Sequence, residues 1–186
     1  MYDSLTTARL ILRPWQAGDG QALYRYASDP QVGPPAGWPP HENLKASLAV
    51  LDRFIRQGFD WALTDRETGR ILGSLGLSPD PRRAEGVLSL GYALAREAWG
   101  RGLATEAARA ALGYAFGPLH ARLVTVYHFP FNHASRRVIE KCGFRLEGVF
   151  RQAFCRYDGL VLDEVTYSMT PAEYAGAKEA YPHDLL

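Results

Sequence analysis

The residue types best suited to chemistry in this chain gather in two places. The first is Trp99-Gly100-Arg101-Gly102-Leu103-Ala104-Thr105, a glycine-rich turn between a strand-like run and an alanine-rich helical run. A helix start presents unpaired backbone N–H groups and the positive end of the macrodipole, which together attract anions. Without side chains on Gly100 and Gly102, a phosphate can come within hydrogen-bonding distance of the main chain. The turn is expected to hold something phosphorylated. The second place runs from His128 to Ser135. His128 ends a strand-like run, where its imidazole could face a cavity and accept a proton. Asn132 and Ser135 open the next helix, where Asn is a good cap and a first-turn Ser needs no further purpose.

Other chemistries fail on spacing. The dinucleotide fingerprint fits only in its first half, because Thr105 stands at the third glycine and the strand Arg122 to Phe129 carries no carboxylate for a ribose. A nicotinamide-type oxidoreductase is therefore disfavoured. No Gly-Lys-Ser/Thr occurs, which removes the P-loop. Leu72-Gly-Ser-Leu-Gly76 resembles a nucleophile elbow but has Leu at its first glycine and no strand-to-helix turn. His41-Glu42 lacks the second histidine of a zinc helix, the five histidines are scattered, and no metal is expected.

The elements that must position these residues can be read from periodicity. Leu88, Leu90, Tyr92 and Leu94 alternate as a strand, and Ala104, Ala108, Ala111 and Ala115 mark a helix face small enough to lie close to a sheet. Upstream, Arg9 to Trp15 reads as a strand, and Asp19 as the cap of a helix carrying Leu23, Tyr24, Tyr26 and Ala27. Asp29 to Pro40 holds five of the twelve prolines and must be a stiff loop. Leu44, Leu48, Leu51 and Ile55 predict a buried helical stripe ending near Gly58. Phe59 to Thr64 and Ile71 to Leu77 form a hairpin about Asp65–Gly69. After the alanine-rich helix, Leu123 to Tyr127 is a strand, and Asn132 to Cys142 a helix with Ala134, Val138, Ile139 and Cys142 inward. Phe144 to Arg156 and Leu160 to Met169 pair about Tyr157-Asp-Gly159. The order predicts one α/β domain over 1–186 with a mixed sheet.

Composition bounds the rest. Apolar residues make up 47%, enough for a sizeable core, and the net charge of +1 suggests neither a nucleic-acid nor a membrane-surface partner. Cys142 and Cys155 lack metal or redox spacing and read as two buried thiols of a cytoplasmic chain. No run approaches the ~18 apolar residues of a membrane span, and Met1 to Pro14 lacks a signal peptide's charged start and apolar centre.

Trp99-Gly100-Arg101-Gly102-Leu103-Ala104 resembles the pyrophosphate loop of the GNAT acetyltransferases, with Trp in its first place. Arg9 to Trp15 is similar to that family's first strand, and Asn132-His-Ala-Ser135…Glu140-Lys-Cys-Gly143-Phe144 to its N-x-x-S…E-K-x-G-F pattern. Glu147-Gly148 and Tyr157-Asp158-Gly159…Asp163 resemble its closing strands, so the likeness covers nearly the whole chain, on the branch of the ribosomal-protein N-terminal acetyltransferases. It implies the GNAT fold, a single domain with a mostly antiparallel sheet splayed at its centre and flanked by helices. It also implies acetyl-CoA as co-substrate, held by the backbone of Arg101, Gly102, Leu103, Ala104 and Thr105. By the same resemblance the strand edge at Tyr92 and Leu94 pairs with the pantetheine arm, Asn132 bonds that arm, and Ser135 approaches the sulfur as general acid. An amine acceptor follows, either a peptide N-terminus or a small molecule, and a homodimer is compatible with the family. An acyl-CoA-binding module without catalysis is the alternative.

One departure concerns the base. Some ribosomal-protein enzymes carry a glutamate seven residues beyond the Glu of the Glu-Gly pair, and here that position is Phe154. Glu147 reads as a partner of an arginine, so no side chain stands out as the base, and His128 or a water chain would be a weaker proton acceptor. At pH 7 a lysine near 10.4 costs about 4–5 kcal/mol to deprotonate, an α-amine near 8 about 1–1.5 kcal/mol. An α-amine or similarly acidic acceptor is therefore expected, in a pocket walled by Trp38 of the Gly33–Pro40 loop, Phe129, Phe131 and Phe154.

Overall fold

The computed structural model describes residues 2–180. β1 (Leu5–Thr6) and β2 (Leu10–Pro14) are followed by α1 (Gly20–Ala27) and α2 (Leu44–Gln57). β3 (Asp60–Asp65), β4 (Ile71–Pro79) and β5 (Val87–Leu94) then form a meander. α3 (Leu103–Phe116), β6 (Leu123–His128) and α4 (His133–Lys141) precede a closing hairpin of β7 (Arg145–Cys155) and β8 (Val161–Met169), and α5 (Pro171–Ala180) ends the described chain. The strands make one sheet in the order β1-β2-β3-β4-β5-β6-β8-β7.

Every pairing is antiparallel except that of β5 with β6. This parallel pair holds only where Val87–Ser89 meets Leu123–Thr125, whereas β4 follows β5 up to Leu94. Beyond Ser89 the strands part, and the sheet is splayed at its centre. Thr125 Oγ1 fastens the closed end, sharing its proton between Asp80 Oδ2 at 2.7 Å and the Leu88 carbonyl at 3.3 Å.

The alanine face of α3 explains how a helix fits over this sheet. Ala107, Ala108, Ala111 and Ala115 are buried with Leu103 and Leu112, and pack into one cluster with Leu75, Leu77, Leu90 and Leu94. Burying each of those leucines contributes about 1.5–3 kcal/mol. A second cluster, with Trp15, Leu23, Tyr26, Leu51 and Ile71, ties α1 and α2 to the sheet.

Local expectations fail where side chains find other partners. On α2, Leu51 is buried and Ile55 half-buried, but Leu44 and Leu48 are 38% and 44% exposed. Ser47 turns inward instead, because its hydroxyl meets His41 Nδ1 at 2.7 Å. Leu48 lies across Gly20 of α1, where a Cβ would come within 2.5 Å of its Cδ2. Asp19 stands at the start of α1 without capping it, since its carboxylate accepts from Arg13 Nη1 and Nη2 and from the Gln16 N–H. Ala134 is exposed while Ile139 and Cys142 point inward. Of the two thiols only Cys142 is buried; Cys155 is exposed, because β7 is the open edge of the sheet. The register of β7 also shifts twice against β8, between Leu146 and Gly148 and between Phe150 and Phe154.

Candidate functional site

The turn before α3 is built from backbone. Gly100 and Gly102 take positive φ of 72° and 77°, the left-handed conformation that glycine adopts without strain. Gly102 is the N-cap of α3 and, having no side chain, leaves the helix start without a side-chain cap. No atom lies within 4 Å of a Cβ built at Gly100, and at Gly102 only Arg9 Nη2 does, at 3.7 Å. Leu103 is buried, so only its main chain can meet a ligand, and Ala104 and Thr105 complete the first turn. Trp99 Nε1 donates to the Leu94 carbonyl at 2.8 Å, which ties the turn to the end of β5.

Arg9 is a residue that sequence reasoning did not place here. It begins the first basic and apolar alternation, and only the pairing of distant segments carries it to the turn. Its Nη1 donates to the Arg101 carbonyl at 2.8 Å, and its Nε and backbone N–H donate to Glu106 at 2.7 and 2.8 Å. Burial raises the Glu106 pKa, but the Thr7 hydroxyl and these Arg9 bonds outweigh it, so the carboxyl stays below its usual range. Half-exposed beside Gly102, the guanidinium adds positive charge where an anion would sit.

At the mouth of the splay β5 has lost β6 as a neighbour from Leu90 to Leu94, which frees the edge that includes Tyr92 and Leu94. Across the opening stands α4. Asn132 Oδ1 accepts from the Ser135 N–H at 3.0 Å, and its Nδ2 donates to the Pro35 carbonyl at 2.9 Å. Asn132 thus caps the helix and tethers the proline-rich loop. It keeps one lone pair and one amide hydrogen for a ligand. The Ser135 hydroxyl lies 2.9 Å from Tyr92 Oη.

His128 is not presented to a cavity. Only 5% of it is exposed, and Nδ1 donates to the Phe129 carbonyl at 2.8 Å. A carbonyl can only accept, so Nε2 is the nitrogen left to take a proton, and Tyr167 Oη stands 3.5 Å from it. The expectation of an imidazole facing the acceptor is corrected, since Tyr167 closes over the ring from β8.

The pocket residues come together in part. Phe129 stacks on Phe131 with centroids 5.7 Å apart and tilts against Phe154 at 5.2 Å. Gly37, at φ 93°, is wedged among them, and a Cβ there would meet Phe154 at 3.0 Å and Phe129 at 3.2 Å. Phe129 is core, Phe154 half-buried and Phe131 47% exposed. Trp38 stands apart from these three rings, folded over Gly33 and 5.5 Å from the His41 ring. The bulge of β7 aims Phe154: Gln152 adopts φ 51° and gives its N–H to Asp163 Oδ1, after which Phe154 pairs with Leu162.

Two carboxylates are buried among the described residues, Asp80 and Glu164, and both face Arg82. Arg82 also lies 5.4 Å over the Tyr127 ring. Glu164, hidden in the alternation of β8, carried no signal in sequence, and its carboxylate is engaged by Arg82. Glu147 pairs with Arg83, as expected. No group of three His, Cys, Asp or Glu among the described residues could hold a metal, and no helix there is long and apolar enough to cross a membrane.

Comparison with known proteins fits this geometry. The model of the acetyltransferase (GNAT) domain family matches residues 9–145. An uncharacterized N-acetyltransferase of Bacillus subtilis, YoaA, is 30% identical over 177 residues, which cover 91% of this chain and 97% of its own. The ribosomal protein uS5-alanine N-acetyltransferase of Escherichia coli is 27% identical over 185 residues, covering 91% and 92%. The solved structure of a GCN5-related N-acetyltransferase from Brucella melitensis superposes with a TM-score of 0.84 at 26% identity, over 98% of this chain and 85% of its own.

Proposed function

The chain belongs to the GNAT acetyltransferase family, and from that premise we propose that it moves the acetyl group of acetyl-CoA to an amine within one ternary complex. The observation that carries this is the uncapped start of α3, opened by Gly100 and Gly102 and set at the end of a β5 edge that has no strand beside it. Main-chain N–H groups from Arg101 to Thr105 receive the pyrophosphate, with charge-assisted bonds of about 1.5–3 kcal/mol each. The β5 edge at Tyr92 and Leu94 pairs with the pantetheine arm, and Asn132 uses its remaining amide hydrogen on the same arm. Ser135 gives its proton to the departing sulfur, whose free pKa lies near 8.5.

The acceptor is an α-amine, on a peptide N-terminus or a small molecule, that reaches the thioester from the side of Gly37, Phe129, Phe131 and Phe154. Its proton goes to water rather than to His128, which Phe129 and Tyr167 enclose. An α-amine suits this arrangement because it gives up its proton at about a quarter of the cost of a lysine. The uS5-alanine enzyme of Escherichia coli, as its name states, acts on an alanine of a ribosomal protein, which supports a cytoplasmic peptide acceptor here.

The test compares initial rates of thiol release with peptides bearing a free N-terminus and with the same peptides N-blocked and carrying lysine. Faster reaction of the free N-termini is expected at neutral pH. Faster reaction of the blocked lysine peptides would overturn the acceptor assignment. CoA binding without thiol release by any amine would instead favour the non-catalytic binding module.

A further inference from the structure

The Tyr92 ring is largely enclosed, and its hydroxyl reaches over the parted strands to the first turn of α4. Oη lies 2.9 Å from Ser135 Oγ and 3.3 Å from the Ser135 carbonyl oxygen. The carbonyl can only accept, whereas either hydroxyl can donate between Tyr92 Oη and Ser135 Oγ; the phenol's one hydrogen has both oxygens within reach, and the serine oxygen is the closer. We propose that Tyr92 is a positioning residue for acetyl transfer, its hydroxyl occupying a lone pair of Ser135 Oγ so that the serine's own hydrogen turns toward the departing sulfur. This rests on the assignment of Ser135 above and gives a side-chain task to a residue so far credited only with its main chain.

The proton bookkeeping closes without a phenolate. As the carbon–sulfur bond breaks, its electron pair goes to sulfur, which takes the Ser135 proton. Ser135 regains a proton from water, and the attacking nitrogen has lost one to water. Tyr92 keeps its own throughout. Burial pushes the phenol pKa well above its usual value, and the hydrogen bond with Ser135 only partly opposes this. Hydrogen bonds in series polarise one another, so a serine that accepts from a tyrosine is the stronger donor.

Tyr92→Phe keeps the ring and removes the hydroxyl. Turnover should fall about tenfold, the size of one net hydrogen bond, with KM for acetyl-CoA and CoA affinity within about twofold of the unaltered chain. In a Ser135→Ala background the same change should cost no further turnover, because the residue acts through the serine. Unaltered turnover in Tyr92→Phe overturns the proposal. So does a further loss in the double variant, or a loss confined to KM and thermal stability, which would mark a tether between α4 and the sheet. Normal turnover in Ser135→Ala would remove the serine assignment itself, and this inference with it, without reference to any Tyr92 variant.

Discussion

The two sides of the splay are made of different material. On the side proposed for the cofactor, the turn before α3 is nearly all main chain: two left-handed glycines, an uncapped helix start and a strand edge without a neighbour. On the side proposed for the acceptor, the phenylalanine rings of Phe129, Phe131 and Phe154 close around Gly37, from three distant segments, and Asn132 and Arg156 hold the loop by the carbonyls of Pro35 and Pro34. A backbone site suits what every member of a family shares, which in the proposed reading is a phosphorylated carrier. A side-chain site can change with one substitution while the fold stays. On the proposed reading the proline-rich loop sets the acceptor and the glycine turn the donor, and separate variants should move the two affinities independently.

Gly102→Val should have the largest effect. A branched side chain at φ 77° is strained and would fill the space left open at the helix start. CoA affinity should fall more than about 100-fold, the loss of two charge-assisted bonds, while circular dichroism still reports the folded sheet. Calorimetry showing unchanged CoA affinity in the folded variant would end the idea that this turn holds the pyrophosphate.

Phe154→Ala should do the converse. It opens the ring cluster around Gly37 and should raise the acceptor KM about tenfold, for roughly 1.4 kcal/mol of lost contact, with CoA affinity unmoved. Steady-state kinetics with acceptor and donor varied separately reads both. Equal changes in the two would mean that the sides are coupled.

A smaller change is expected from Arg9→Ala. The guanidinium is half-exposed and already shared with Glu106, so CoA affinity should weaken by only about three- to fivefold, more at low salt than at high. A salt-independent loss would point to Thr7–Glu106 packing rather than to charge.

A last effect is on stability and leaves both affinities alone, since it lies away from both sites, at Asp60. Burial pushes its carboxyl up to about 6, with Arg53 opposing. The folded state therefore holds this proton more tightly than the unfolded chain, whose carboxyl titrates near 4. Stability from Asp60 is full below about pH 4, declines as pH rises to about 6, and is flat beyond. Asp60→Asn should remove that decline and gain up to about 3 kcal/mol at pH 7, with both substrate affinities unchanged. Thermal melts of the two proteins from pH 4 to 7 that run parallel would refute it.

The glycine turn, the alanine face of α3 and the order of strands and helices were legible in sequence, because each follows from short-range rules. A left-handed turn needs glycine, a close-packed helix needs small residues at three- and four-residue spacing, and alternation marks a strand. The Gly33–Pro40 loop with Trp38, and Phe129, Phe131 and Phe154, were expected as the walls of one pocket; the three phenylalanines do meet at Gly37 of that loop, but their geometry was not legible. Only the fold placed Phe154 against Gly37, by a bulge whose stabilising bond comes from Asp163 on the partner strand. It also turned Trp38 toward Gly33 and enclosed His128 beneath Tyr167. The arrival of Arg9 beside Gly102 and of the Tyr92 hydroxyl at Ser135 likewise depends on contacts between residues 93 and 43 positions apart. Helix and strand signals are carried by neighbours in the chain, whereas the direction of a polar or aromatic side chain is chosen by whichever distant group satisfies it. Sequence therefore determined the scaffold and the backbone-built site, and tertiary structure decided which side chains meet.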